Sequence, residues 1–308
     1  MQSPLVSPAP VSSAGRREGA APARPPELED PLNRYLYHPL AARLARLLVP
    51  TGISPNAVSV TGALFVCSAA WAYAALEWPL GALLGLGFHL SWHVIDGADG
   101  DLARLTGRAS PSGEMVDGLC DYAAHVVLYV TLAAILDNEI GAWAWILAVA
   151  AGGSHAFQTN HAESHRRNYL WWAYGVPWLK HAQSAGDEVF RARNAFSRTS
   201  VWLTRLYLTV ARRMAPWSER MDAVVDSARG DPRRIKRIRR LVRRASGRLL
   251  VLEKLVGPNP RAILLGISML AGSPKWYFLA EVVLLNLVLG WSVAQHNAVG
   301  RRLVRAVT

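Results

Sequence analysis

The chain has 308 residues, of which 51% are hydrophobic, and a formal net charge of +12. Two soluble domains would be the default expectation for this length, but long uncharged runs point to a membrane protein instead. The first segment, residues 1–29, is rich in Pro, Ala and Ser and lacks the apolar core of a signal peptide. We therefore expect a disordered tail there.

A juxtamembrane helix is predicted next, over residues 30–50. Its leucines recur at helical spacing, at Leu40, Leu44, Leu47 and Leu48. Two arginines, Arg43 and Arg46, fall on other faces. This pattern is typical of an amphipathic helix that lies on a membrane surface.

Six apolar segments are predicted to cross the membrane. Most are near the roughly 20 residues that a hydrocarbon core of about 30 Å requires. They cover residues 57–76, 80–98, 114–136, 141–160, 260–273 and 276–296. The first four, with an acidic motif, make up residues 51–161, and the last two, with a C-terminal tail, make up residues 259–308. The fold class we predict is an all-α integral membrane protein.

Basic residues outside the spans predict the orientation. With six spans, one side carries most of the loop arginines, including Arg43, Arg104, Arg108, Arg166, Arg167, Arg301 and Arg302. The turns on the opposite side carry Glu77, Asp137, Glu139 and one base, Lys275. Because cytoplasmic loops are enriched in Lys and Arg, we expect both termini and the acidic motif to face the cytoplasm.

The segment between spans four and five, residues 162–258, is a strongly basic insertion. Its densest part, residues 231–255, has an apolar stripe at helical spacing, formed by Ile235, Ile238, Leu241, Val242, Ala245, Leu249 and Leu252. We interpret it as a basic helix on anionic membrane lipids. Nucleic-acid binding is the less favoured alternative, and we expect no nucleic-acid partner. A bias of positive charge toward the cytoplasm explains part of the pattern.

Four aspartates stand at the boundary between spans two and three. On helices that advance about 100° per residue, Asp96 and Asp99 share one face, as do Asp117 and Asp121. Two helices joined by a short loop would aim these carboxylates into one cleft, where they would repel each other. Divalent cations remove that repulsion, and oxygen ligands favour Mg²⁺, Mn²⁺ or Ca²⁺. A pair of such ions is suited to displacement at phosphorus.

Small residues are interleaved with the aspartates. Gly97, Gly100, Ala103 and Gly113 leave room for a bulky ligand near the backbone. Arg104 lies one turn after Gly100 and has the fork geometry that binds a phosphate through two hydrogen bonds. Charges solvated at helix ends are the alternative explanation, which fits one or two aspartates better than this spaced set.

Together these residues resemble the complete signature of the CDP-alcohol phosphotransferases. From residue 96 to residue 121 the pattern reads D-x2-D-G-x2-A-R-x8-G-x3-D-x3-D, which matches that signature at every position. The resemblance covers residues 32–161 well and 259–302 loosely. It implies a six-span enzyme of phospholipid biosynthesis that releases CMP from a CDP-linked donor and passes the phosphoalcohol to a hydroxyl group.

The resemblance also implies roles for the signature residues. Asp96, Asp99 and Asp117 would hold two Mg²⁺ or Mn²⁺ ions, and Asp121 would share ligation or act as the catalytic base. The nucleotide and diphosphate pocket would be shaped by Gly100, Ala103, Arg104 and Gly113. A homodimer is implied as well.

Three functions remain open from the sequence. We expect CDP-diacylglycerol as the donor and a small polar alcohol as the acceptor. The reverse arrangement, a soluble CDP-alcohol that donates to a lipid hydroxyl such as that of diacylglycerol, uses the same aspartates. A non-catalytic membrane scaffold or lipid-binding protein built on the basic insertion is the alternative from another class.

Two further sets of residues are weaker candidates. His89 and His93 share a helix face with Asp96 and are predicted to orient the metal-binding carboxylates, although ordinary helix packing explains them as well. A second set, at the end of span four, is a candidate site for an acceptor phosphate or a lipid headgroup: His161, His165, Arg166 and Arg167. A positively charged stop to that span is the alternative.

Overall fold

The protein was examined as a computed structural model that describes residues 25–181, 190, 195–246 and 249–308. All regular secondary structure within these ranges is helical, which confirms the predicted all-α class for the described part of the chain. The disordered tail was predicted over residues 1–29, and residues 1–24 of it lie outside the described residues.

Residues 25–29, the end of that predicted tail, are ordered, so this part of the prediction is wrong. Glu27 accepts hydrogen bonds of 2.6 Å from the hydroxyl groups of Tyr169 and Tyr174. Burial alone would raise the pKa of the Glu27 carboxyl group, but these two hydrogen bonds, a backbone hydrogen bond and the positive charge of Arg243 together hold that pKa below its usual range. The segment is therefore docked by a charged carboxylate.

The N-terminal half of the described chain is built from one short helix and four long ones. After a π-helical turn at Asn33–Tyr37, these are α1 (His38–Leu48), α2 (Pro55–Ala75), α3 (Leu80–Leu105), α4 (Pro111–Ile140) and α5 (Trp143–Tyr174). Two of them begin with a serine cap followed by proline. Ser54 Oγ accepts the Ala57 N–H at 3.2 Å, and Ser110 Oγ accepts the Gly113 N–H at 3.1 Å.

The C-terminal half continues with shorter helices and ends in a long one. These are α6 (Ala195–Met214), α7 (Ser218–Ser227), α8 (Pro232–Ser246), α9 (Leu249–Leu255), α10 (Pro258–Leu270), α11 (Lys275–Leu279) and α12 (Leu285–Val307). A π-helical turn at Ala280–Leu284 joins α11 to α12, so that Lys275–Val307 forms one continuous rod.

Three helices in the described residues are long and apolar enough to cross a membrane by length and composition. They are α2, α4 from Ser112 onward, and the rod Lys275–Val307. Helices of this length and composition indicate a membrane protein. The helix α3 is less apolar, since it carries two histidines and the aspartates, and α5 continues past the expected end of span four to Tyr174.

Small side chains bring the first long helices close together. The α2 residues Ala69, Ala70 and Ala72 are fully buried against the rest of the bundle. On α3, a Cβ placed at Gly85 would lie 2.3 Å from the Tyr73 ring, so only glycine fits there. Close approach through small residues is how helices associate in membranes, where burial of apolar surface gives little driving force.

The insertion and the end of α12 form a second core. Its buried side chains include Trp172, Trp178, Trp217, Met221, Leu250 and Leu303. The apolar stripe of the basic helix α8 faces this core, with Ile238 and Val242 fully buried. Protein therefore covers this apolar face, which periodicity had identified. The predicted contact of the basic helix with anionic membrane lipids stays a prediction.

Candidate metal centre

The four aspartates lie where α3 ends and α4 begins. A five-residue connection, residues 106–110, reverses the chain, and the Ser110 cap starts α4. One carboxylate oxygen from each of Asp96, Asp99 and Asp117 lies within 4.8 Å of the other two. The structure thus brings together three of the four aspartates that the sequence grouped.

Asp121 lies beside this cluster and has its own partner. The indole N–H of Trp92 donates to Asp121 Oδ1 at 3.2 Å. Asp121 also interacts electrostatically with Asp117 and Asp99. The three-oxygen cluster and the fourth carboxylate therefore form one negatively charged region with two different local settings.

A second hydrogen bond fixes a member of the cluster. Ser59, on α2, donates a hydrogen bond from its hydroxyl group to Asp99 Oδ2 at 2.5 Å. Both residues are buried, and Asp99 is only 5% exposed. Ser59 and Trp92 were missed in the sequence, because a lone Ser or Trp in an apolar helix carries no pattern that distinguishes it from packing residues.

The donor set fits a divalent cation. The clustered oxygens come from carboxylates, which are hard ligands of the type that Mg²⁺ and Mn²⁺ prefer. The nearest α3 cation, Arg104, pairs with Asp101 Oδ1 at 2.5 Å and forms no ion pair with the cluster in the described residues. Three close carboxylates without a direct basic partner are costly, and a bound cation would offset their repulsion.

The predicted nucleotide-pocket residues border the same region. A Cβ at Gly100 would lie 3.4 Å from the Arg104 guanidinium group, and one at Gly113 would lie 3.3 Å from Ser110 Oγ. Arg104 is about half exposed, at 46%, so its fork can reach a ligand. Ala103, which comes directly before Arg104 on α3, is partly buried.

Two arginines of α5 complete the surroundings of the aspartates. Both bind the carboxylate of Glu163, Arg166 through Nε and Nη2 at 2.7 and 2.6 Å and Arg167 through Nε at 2.6 Å. Arg167 Nη1 also donates to Glu114 Oε1 at 3.1 Å, on the first turn of α4. Arg166 attracts Asp96 and Arg167 attracts Asp117 electrostatically. Glu163 was not among the predicted site residues.

The two histidines grouped with these arginines lie elsewhere. His161 and His165 are 1% and 5% exposed and pack against His296 of α12. They share α5 with the arginines but belong to a separate buried cluster. The structure therefore divides the set predicted to bind an acceptor phosphate.

His89 and His93 are buried on α3. Their rings contact aromatic neighbours, with His93 at 5.0 Å from the Tyr37 ring and 4.6 Å from the Trp92 ring. Within the described residues, neither histidine hydrogen-bonds a site carboxylate. Their predicted orienting role stays a prediction, whereas Ser59 and Trp92 make direct contacts of that kind.

Comparison with known proteins supports the chemistry of the cluster. Residues 52–169 match the family model described as CDP-alcohol phosphatidyltransferase. No curated protein matches the chain. The matched segment contains all four aspartates and both arginines, whereas most of the insertion lies outside it. The chain therefore carries a domain of the CDP-alcohol phosphatidyltransferases, a family of phosphotransferases.

Proposed function

We propose that this protein transfers a phosphatidyl group from CDP-diacylglycerol to the hydroxyl of a small polar acceptor, with release of CMP, as a step in phospholipid biosynthesis. The observation that carries this proposal is the cluster of Asp96, Asp99 and Asp117 oxygens inside the matched domain. Family membership supports phosphotransfer from a CDP-linked donor, and the finer choice of donor and acceptor is our inference.

The aspartates would divide the work. Asp96, Asp99 and Asp117 would hold two divalent ions, Mg²⁺ or Mn²⁺, which when bound neutralise the diphosphate and stabilise the CMP leaving group. Asp121, beside that cluster, takes the proton of the acceptor hydroxyl. A new bond then forms between the acceptor oxygen and the lipid phosphorus, and the bond from that phosphorus to the CMP oxygen breaks. Trp92 holds the Asp121 carboxylate in position through its 3.2 Å hydrogen bond.

The donor's nucleotide end would bind beside α3 and α4. Gly100, Ala103 and Gly113 keep the backbone accessible, and Arg104 supplies a partly exposed fork for a phosphate group. In this arrangement Arg104 would exchange its bond with Asp101 for one with the diphosphate.

For the acceptor, we favour the side lined by α5. Arg166 and Arg167 are 41% and 27% exposed, and each attracts one of the clustered aspartates electrostatically. A guanidinium group at this place would bind an anionic group on the acceptor or on a lipid. We now restrict the acceptor proposal to these arginines and leave His161 and His165 out of it.

The membrane arrangement is also a proposal. We infer six spans, made by α2, α3, α4, α5, α10 and the rod Lys275–Val307, with the active site on the cytoplasmic side. The exposed apolar side chains of the first helical segment, such as Tyr35 and Leu47 at 73% and 71% exposure, support an N-terminal helix that lies in the interface. Contacts with anionic lipids and a homodimer remain proposals of the same kind.

The test is CMP release by the purified full-length chain in liposomes. CDP-diacylglycerol is supplied with Mg²⁺ or Mn²⁺ and, in turn, glycerol phosphate, inositol, inositol phosphate, serine or choline. We expect release that needs one acceptor and stops with EDTA. Asp121→Asn should lower kcat by about 10²–10⁴-fold, the range for losing a general base. Asp137→Asn, an exposed aspartate at the other end of α4, serves as the matched control.

The outcomes separate the alternatives. Activity only with soluble CDP-alcohols and diacylglycerol would reverse donor and acceptor. If neither class of donor gives CMP release and circular dichroism shows normal folding, the enzymatic proposal is contradicted and the scaffold is favoured.

A further inference from the structure

A second cluster of metal-ligating side chains lies on the other side of α5. One ring nitrogen from each of His161, His165 and His296 lies within 4.8 Å of the other two. The ring centroids are 3.9–5.1 Å apart. His161 and His165 are one helical turn apart on α5, and His296 comes from α12, so two long helices contribute.

The cluster is closed to solvent and leaves polar atoms unsatisfied. Each histidine is at most 5% exposed. His161 Nδ1 and His165 Nε2 are buried without a hydrogen-bond partner. His161 uses its other nitrogen to contact Ser292 Oγ at 2.9 Å. Buried nitrogens without partners are rare in folded proteins, because each loses its hydrogen bonds to water and gains nothing in return.

An acidic residue of the insertion adjoins the cluster. Glu253, on α9, is buried and places Oε1 at 2.8 Å from His296 Nε2. A carboxylate beside a metal-binding histidine is a common arrangement, since it fixes the ring and offsets positive charge. Through Glu253 the insertion contacts α12, and through His296 it adjoins the two histidines of α5.

We propose that His161, His165 and His296 bind a Zn²⁺ ion, with Glu253 supplying negative charge next to it. Imidazole nitrogens suit zinc and its neighbours in the first transition series, whereas the carboxylate oxygens near α3 suit Mg²⁺. Three histidines leave a fourth position, which an enclosed water molecule would fill in a tetrahedral site. Burial indicates that the ion is structural, because substrate has no open path to it.

The ion would fix the part of α5 that carries the arginine pair. His161 and His165 bracket Glu163, the residue whose carboxylate binds both Arg166 and Arg167. Fixing the two histidines to α12 and α9 holds this turn of the helix. The ion would therefore join the basic insertion to the catalytic domain and keep the arginines facing the aspartates.

The experiment measures metal content and cobalt spectra of the full-length chain. The protein is purified in detergent micelles without a polyhistidine tag, washed with excess Mg²⁺, and analysed for zinc by mass spectrometry. Co²⁺, which replaces Zn²⁺ and absorbs visible light when tetrahedral, is then added to chelator-treated protein. We expect about one zinc per chain and a visible cobalt band, as a single tetrahedral site would give.

Variants assign the ligands. His161→Gln and His165→Gln should lose the zinc and the cobalt band. His181→Gln, which removes a histidine outside the cluster, and Asp99→Asn, which alters the other cluster, should keep both. His165→Cys retains a ligand for zinc and should bind Co²⁺ with a new thiolate charge-transfer band. This test remains valid even if the glutamine variants do not fold.

Two results would overturn the proposal. One is wild-type protein that keeps no zinc after the Mg²⁺ wash and gives no tetrahedral cobalt band. The other is metal content that is the same in wild type, His161→Gln and His165→Gln.

Discussion

The two clusters on either side of the arginine pair contain three potential ligands each, but they differ in chemistry and in access. The aspartate cluster uses oxygen ligands, and two of its three members are only partly buried. The histidine cluster uses nitrogen ligands, and all three members are buried. A site that must admit a diphosphate and an acceptor needs an opening, whereas an ion that only joins helices does not.

This difference assigns separate tasks to the two halves of the molecule. The aspartates lie inside the matched domain, on helices joined by a five-residue connection. The histidine cluster joins that domain to α9 and α12, which lie beyond residue 169. We infer that the chemistry resides in the matched segment and that the remainder stabilises the end of α5.

The largest expected effect is a separation of the two clusters, in which each variant disrupts one metal site and leaves the other intact. Asp99→Asn should lower CMP release by roughly 10²–10³-fold, the cost of removing one preorganised charge-stabilising group, while zinc content stays unchanged. His165→Gln should remove zinc while the Mg²⁺ concentration for half-maximal rate stays unchanged. Loss of both properties in either variant would show that the clusters are one coupled site.

A smaller effect is expected at Ser59. Its hydroxyl holds Asp99 Oδ2, and removal of such an outer partner weakens metal binding by about 10–100-fold. Ser59→Ala should therefore raise the Mg²⁺ concentration needed for half-maximal CMP release without affecting zinc. Ser68→Ala is the matched control, since Ser68 lies on the same helix and its hydroxyl group donates to the backbone carbonyl oxygen of Leu64. Equal Mg²⁺ dependence in both variants would contradict the role of Ser59.

Local sequence signals predicted much of the fold and the core of the first site. The uncharged run 57–76 predicted α2, which the structure places at Pro55–Ala75, and helical spacing groups Asp96 with Asp99. These signals work because they depend only on residues that are close together in the sequence. The reversal between α3 and α4 is also short, so the second pair of aspartates had to return nearby.

Contacts between distant segments could not be predicted in this way. Ser59 meets Asp99 across 40 positions, and His161 meets Ser292 across 131. The packing of the α8 stripe could not be predicted for the same reason, because periodicity identifies an apolar face without identifying what covers it. A single sequence does not indicate which of the many possible pairs of distant residues come into contact.

A further prediction concerns the arginines between the clusters. Arg167→Ala removes hydrogen bonds to Glu163 and Glu114 and the proposed contact with the acceptor. A hydrogen bond to a charged group contributes about 1.5–3 kcal/mol, so the acceptor KM should rise by roughly 10-fold or more. The KM for CDP-diacylglycerol should change little. Arg305→Ala, at the end of α12, is the control, and a rise confined to the donor KM would contradict this placement of the acceptor.

The smallest expected effect tests whether the C-terminal end of α5 is also held by the N-terminal segment. Glu27 is charged in the docked segment, and hydrogen bonds from Tyr169 and Tyr174 keep its pKa below the usual 4.5. A carboxyl group with a lowered pKa stabilises the docked state above pH 4.5, and that stabilisation disappears as the pH falls through the lower value. Hydrogen exchange of the amides of residues 27–30 should therefore accelerate below pH 4.5 relative to a pH-corrected reference peptide. Glu27→Gln should remove this dependence, and Tyr169→Phe should weaken it. Unchanged pH dependence in Glu27→Gln would show that another group docks the segment.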